Sequence, residues 1–161
     1  MSARHIAKPV DFEPEFIEGL RVLFEEHITF NQLLGVHIAD LGAQQVHATL
    51  RMRPDLVGHP TYNRLHGGVI SASLDALGGL AVLAAIGARH MNEPPAQRLQ
   101  RFTRLGTIDL RVDYLRPAIA PQFVMHAEVL RLGSRVASTA MRFGMEDGTL
   151  LATGNGTYIV A

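Results

Sequence analysis

Apolar residues recur at helical spacing over 12–34: Phe16, Leu20, Leu23, Phe24, Ile28 and then Leu33 or Leu34. The spacing predicts one helix, closed by Gly35, as glycine often does just past a helix end. The period then changes to two. Val36 and Ile38 alternate with His37 and Ala39, and Val46, Ala48, Leu50 and Met52 alternate with His47, Thr49 and Arg51. Two strands are predicted, the second ended by Pro54. A polar stretch over 54–65 reads as a loop. After His66-Gly67-Gly68 the chain is apolar on every side to about Ala88, which predicts a long helix covered all round. Residues 91–105 are polar, carry Pro94-Pro95 and read as a mobile connection. Strands follow from Thr107. Ile108, Leu110, Val112 and Tyr114 alternate with polar residues, and Phe123–Arg131 forms the next run. In Arg135–Met145, residues Ala137, Thr139, Met141, Phe143 and Met145 share a face. Glu146-Asp147-Gly148 is a hairpin turn, and Leu150–Val160 closes the chain, loosened by Gly154 and Gly156.

An apolar helix among antiparallel strands predicts an α+β fold, with one curved sheet wrapped around the helix and a further helix at the N-terminus. The length of 161 residues fits a single domain over 1–161, with 1–30 as a helical extension. Fifteen Lys+Arg balance 15 Asp+Glu, which argues against a nucleic-acid surface. There is no cysteine, so disulfides, thiolate metal sites and a cysteine nucleophile are excluded. The N-terminus has no apolar run of leader length. Val69–Ala88 is apolar enough to suggest a membrane span, but Ser71, Ser73 and Asp75 lie inside it. A mid-span carboxylate costs about 3 kcal/mol. A cytoplasmic protein with no membrane span is expected.

The informative segment is Arg64-Leu65-His66-Gly67-Gly68-Val69-Ile70-Ser71-Ala72-Ser73-Leu74-Asp75. A glycine pair at a helix start bares backbone N–H groups at the end of the helix that favours negative charge. A developing oxyanion in acyl transfer needs such donors. Asp75 is the one ionisable group within the apolar run, and a buried carboxylate is costly unless it is paired or functional. Both features have a plainer reading, since glycine pairs make tight turns and aspartates cap backbone groups. Asp75 stands seven residues after Gly68, on nearly the same helix face but about 10 Å along the axis. One side chain does not cross that gap. If both groups act on one carbonyl, they come from two chains, as two antiparallel helices at a two-fold axis would supply. An obligate dimer with two shared sites is predicted.

His66-Gly67-Gly68 followed by Asp75 on a long apolar helix resembles the hotdog-fold acyl-CoA thioesterases of the phenylacetate-degradation (PaaI) type. The segment Gly106-Thr107-Ile108-Asp109-Leu110-Arg111-Val112-Asp113-Tyr114-Leu115-Arg116-Pro117-Ala118 looks like that family's third strand, including its Tyr-x-x-Pro ending. The overall pattern is most similar to the medium- and long-chain branch. The resemblance implies hydrolysis of an acyl-CoA to a carboxylic acid and free CoA, with no resident cofactor. It implies Asp75 as nucleophile or general base, Gly67 with Gly68 as oxyanion donor, His66 as the histidine that holds the loop and thioester, and Thr107 as the hydroxyl that positions water or carboxylate. Where the family usually carries an asparagine, this chain has His59 and Pro60, so His59 or the nearby Asn63 would have to substitute. Arg116, Arg131 and Arg135 are candidates for the CoA phosphates, with Arg64, Arg98, Arg101 and Arg104 as further options. Ala72, Ala76, Gly79 and Leu83 could line an acyl tunnel, with 91–105 as its lid. Self-association is expected as a dimer, or as a dimer of dimers.

Other chemistry is poorly supported. Eight histidines include only one close pair, His59 and His66, with no carboxylate at ligand spacing, so no metal site is expected. Ser71 and Ser73 lack a nucleophile elbow, and no Gly-Lys-Ser/Thr follows the glycine pair. Gly78-Gly79 within a helix suggests close approach of another element, such as a second helix at a dimer axis. Two alternatives remain: a non-catalytic acyl-CoA-binding sensor of the same fold, and, more weakly, a hotdog dehydratase.

Overall fold

A computed structural model describes residues 10–160. Residues 1–9, on which the expectation about a leader falls, and Ala161 lie outside the described residues. The predicted first helix is in fact two: α1 (Pro14–Arg21) runs into a π-turn (Val22–His27), and α2 (Thr29–Leu34) begins after Ile28 takes an extended conformation. The β-branched pair Ile28-Thr29 is a weak point for a helix, and the Asn31 side-chain amide donates to the Phe24 carbonyl freed there (3.0 Å). Gly35 ends α2 in the left-handed conformation, φ +73°, and donates back to Asn31 and Gln32.

Six strands follow in one antiparallel sheet: β1 (Val36–Leu41), β2 (Gln45–Arg51), β5 (Gly106–Tyr114), β6 (Gln122–Leu132), β7 (Val136–Gly144) and β8 (Leu150–Ile159), in the order β1-β2-β6-β7-β8-β5. The segment over 54–65 is more ordered than a plain loop. It contains β3 (Val57–His59) and β4 (Arg64–Leu65), paired as a small ribbon. The core helix α3 (Gly67–Arg89) lies across the concave face of the sheet. Ile70, Leu74, Leu77, Leu80, Ala81 and Leu83 bury against Val46, Ala48 and Leu50 of β2, Phe123 and Met125 of β6, and Met141 and Phe143 of β7. Fully burying each large side chain contributes about 1.5–3 kcal/mol before entropy. The helix is long and apolar enough to span a bilayer, yet most of it is buried inside the fold.

Residues 91–105 also depart from the predicted mobile connection. They form α4 (Pro95–Gln100) and a 3₁₀ turn (Arg101–Arg104). Arg98 is fully buried there, bonded to Glu13 (2.5 Å), with its guanidinium 4.3 Å over the Phe16 ring. The charged composition of the segment hid an internal anchor between α4 and α1.

The two sheet edges differ. At β1, the Ile38 N–H donates to Glu25 (2.7 Å) and the Ile38 carbonyl accepts from Arg21 (2.8 Å), so side chains cover that edge. At the other end, β5 pairs with β8 alone. A bulge between Thr107 and Asp109 breaks the predicted alternation. Leu110 and Val112 turn inward, while Ile108 and Tyr114 stand exposed.

Candidate active site

Asp75 sits on the second turn beyond the start of α3, half-buried rather than fully enclosed. Its Oδ1 accepts from the Thr107 hydroxyl at 2.9 Å. The bulge after Thr107 lets the first residues of β5 face the helix. A second hydroxyl, Tyr158 on β8, donates to the Asp75 backbone carbonyl (3.0 Å) and lies 3.4 Å from Oδ1. Burial, reinforced by the Asp75 charge, pushes the Tyr158 hydroxyl pKa well above the usual tyrosine range, so it is held as a neutral donor.

Sequence reasoning missed Tyr158, although a signal was present. Gly154, Gly156 and Tyr158 alternate onto the inner face of β8. A Cβ on Gly156 would lie 2.7 Å from the Tyr158 ring, and one on Gly78 would collide with the Tyr158 hydroxyl and lie 2.7 Å from Met141 Sδ. The glycines are a slot for the ring, not a loosening of the strand.

The helix start is built separately. His66 caps α3, its Nδ1 accepting from the Gly68 N–H at 2.9 Å. A neutral ring that accepts at Nδ1 carries its proton on Nε2. The Tyr114 hydroxyl donates to the Gly67 carbonyl (2.9 Å). The Gly67 N–H has no acceptor among the described residues, whereas that of Gly68 is taken. Of the two backbone donors, Gly67 is therefore the one free to bind an oxyanion.

Asp75 and Gly67 open onto different hollows. Asp75, Thr107 and Tyr158 line a cavity of about 310 Å³ with Ala72, Ala76, Gly79 and Leu83, the four helix positions named from the sequence. Its other walls are Leu23, Phe24, Ile28 and Phe30 from the N-terminal helices, and Phe102 and Leu105 from the segment after α4. Gly67 lies instead in a concavity of about 370 Å³ with Arg64, Tyr114 and Arg116. Eight residues of helix, about 12 Å, separate the two groups.

The remaining candidates are scattered. Asn63 takes a left-handed conformation (φ +46°) at a 3₁₀ turn and borders a hollow with Met52, Arg53 and Ile119, away from Asp75. His59 is half-buried against Tyr62, with no partner at Nδ1 among the described residues. Arg116 bonds the Leu150 carbonyl (2.8 Å) on the Gly67 side. Arg131 and Arg135 flank the β6–β7 turn, whose Leu132 and Gly133 carbonyls accept from Arg89 at the opposite end of α3. The three arginines form no single cluster on one chain. No group of three or more His, Asp or Glu among the described residues could hold a metal ion.

A carboxylate held by a hydroxyl at an apolar cavity, with a spare backbone N–H at a helix start, is equipment for acyl hydrolysis. Residues 62–152 match the thioesterase superfamily. The chain belongs to the thioesterase superfamily. It is 34% identical over 138 residues to the Medium/long-chain acyl-CoA thioesterase YigI of Escherichia coli, covering 86% of this chain and 89% of that one. The Salmonella typhimurium protein of the same name is 35% identical over the same span. A crystal structure from Shewanella oneidensis, related to the thioesterase superfamily, superposes with a TM-score of 0.84 at 37% identity, covering 93% of this chain and all of that one. The fold is the hotdog, and this thioesterase wraps its sheet around α3 as those relatives do.

Proposed function

We propose that this thioesterase hydrolyses medium- and long-chain acyl-CoA in the cytoplasm, at two equivalent sites shared by a dimer. The observation that carries the reading is Asp75, held by Thr107 at the wall of the apolar cavity, while the unpaired Gly67 N–H opens elsewhere on the same chain. The acyl chain enters the cavity beside Ala76 and Gly79. The thioester carbonyl lies near Asp75 and is polarised by the Gly67 N–H of a second copy. Asp75 either takes a proton from water as it attacks the carbonyl carbon, or attacks the carbon itself to give an anhydride that water opens. In both routes the C–S bond breaks and CoA leaves as the thiolate, which is then protonated. Thr107 and Tyr158 hold the carboxylate in place. Arg116 and Arg64 near the helix start, and Arg131 and Arg135 at the other end, are the cations available to CoA phosphates. The chain length preference rests on likeness to the Escherichia coli relative.

Release of free thiol from an acyl-CoA series tests the proposal. Asp75→Asn is expected to lower kcat by about 10²–10⁴-fold while ester binding persists. Ester binding without thiol release from the unaltered chain would replace catalysis with a ligand-sensing role.

A further inference from the structure

We infer that Gly79 sets the length of acyl chain that the cavity accepts; this rests on the thioesterase reading above. Two adjacent glycines interrupt α3, and a glycine in a helix interior is destabilising relative to alanine. Gly78 has a packing reason, since Tyr158 and Met141 occupy the space of its side chain. Gly79 has none among the described residues. A Cβ there would lie 3.6 Å from Leu105 Cδ2 and 3.8 Å from Tyr158 Cε1, ordinary contact distances. What a side chain at 79 would enter is the cavity, which Gly79 lines one helical turn beyond Asp75, about 6 Å along the axis. Helical side chains lean back toward the N-terminus, here toward the turn that carries the carboxylate. A larger residue would therefore narrow the cavity just past the reacting carbonyl, against Leu105. The empty position keeps a passage open from Asp75 toward Leu83 and the Phe24–Ile28 wall. Short acyl groups do not need that passage, and long ones do.

Gly79→Ala and Gly79→Leu in the full chain test this. The readouts are kcat/KM on acetyl-, butyryl-, octanoyl- and palmitoyl-CoA, melting temperature and mass in solution. Gly79→Leu is expected to lose at least about tenfold more kcat/KM on the long esters than on the short ones, since each methylene that a pocket rejects is worth about 10–200-fold. Gly79→Ala is expected to raise the melting temperature and to trim only the longest chains. An equal loss on all esters would overturn the inference. So would a fall in mass to that of one chain, because Gly79 would then serve contact with a second copy. An unaltered chain that releases no thiol from any ester would refute the thioesterase reading itself, a result distinct from a flat profile in variants of an active enzyme.

Discussion

At the scale of single residues, the proposed mechanism depends on hydroxyls that aim a carboxylate. The Thr107 Oγ1 bond to Asp75 Oδ1, 2.9 Å, is the tightest of these. Thr107→Val keeps the shape and removes the donor. It is expected to lower kcat by about 10–150-fold, a hydrogen bond to a charged group being worth about 1.5–3 kcal/mol, with little change in KM. Steady-state kinetics on one good ester checks it, and an unchanged kcat would remove Thr107 from the positioning scheme. The sequence could single out Asp75, Gly67, His66 and Thr107 as candidates because their types and spacing are constrained by chemistry and by a single helix. The structure joins Thr107 to Asp75 and His66 to Gly68, while their catalytic roles stand as proposed. Tyr158 was not, because its meaning depends on β8 lying beside β5 and under α3, a long-range fact. Asn63 was singled out for its amide, but its left-handed backbone gives a local reason for asparagine at that turn.

At the scale of elements, local periodicity gave α3 and most strands, and failed where tertiary partners decide. The break at Ile28 turns Phe24 and Ile28 into the cavity wall, and the α4 segment is anchored by a buried arginine that its composition disguised. Gly78 is the point where α3 meets β8. Gly78→Ala is expected to cost about 1–3 kcal/mol through overpacking, despite alanine's better helix propensity. Calorimetry should then show a melting temperature lower by roughly 2–4 °C per kcal/mol. The β2–β6 pair carries a pH effect. His126 packs 4.7 Å from His47, ring to ring, and burial together with that neighbour lowers its pKa. The unfolded chain takes up this proton near pH 6.5, before the folded one does. The stability is therefore present above about pH 6.5 and is lost as pH falls below it. Melting temperatures across that range should flatten in His126→Gln. An identical slope in both proteins would mean that His126 is not the group responsible.

At the scale of the whole molecule, one sheet edge is covered and, among the described residues, the other is bare. Glu25 and Arg21 occupy the β1 edge, whereas β5 presents Ile108 and Tyr114 beside unpaired backbone. A bare apolar edge is a template for another strand. In the proposed dimer a second copy docks there, with its α3 alongside this one and its Gly67 toward Asp75. Ile108→Lys is expected to separate the copies in light scattering and to lose thioesterase activity with them. A dissociated yet fully active variant would show that one chain suffices.

The shared site is the central claim, and complementation tests it most directly. Gly67→Pro deletes the free N–H at a helix position that tolerates proline. It should be inactive, as should Asp75→Asn. Co-folding the two in equal amounts is expected to restore about a quarter of normal thiol release, because half the dimers are mixed and each then holds one intact site. Activity no greater than the sum of the two variants would contradict the account and return the carboxylate and the oxyanion donor to a single chain.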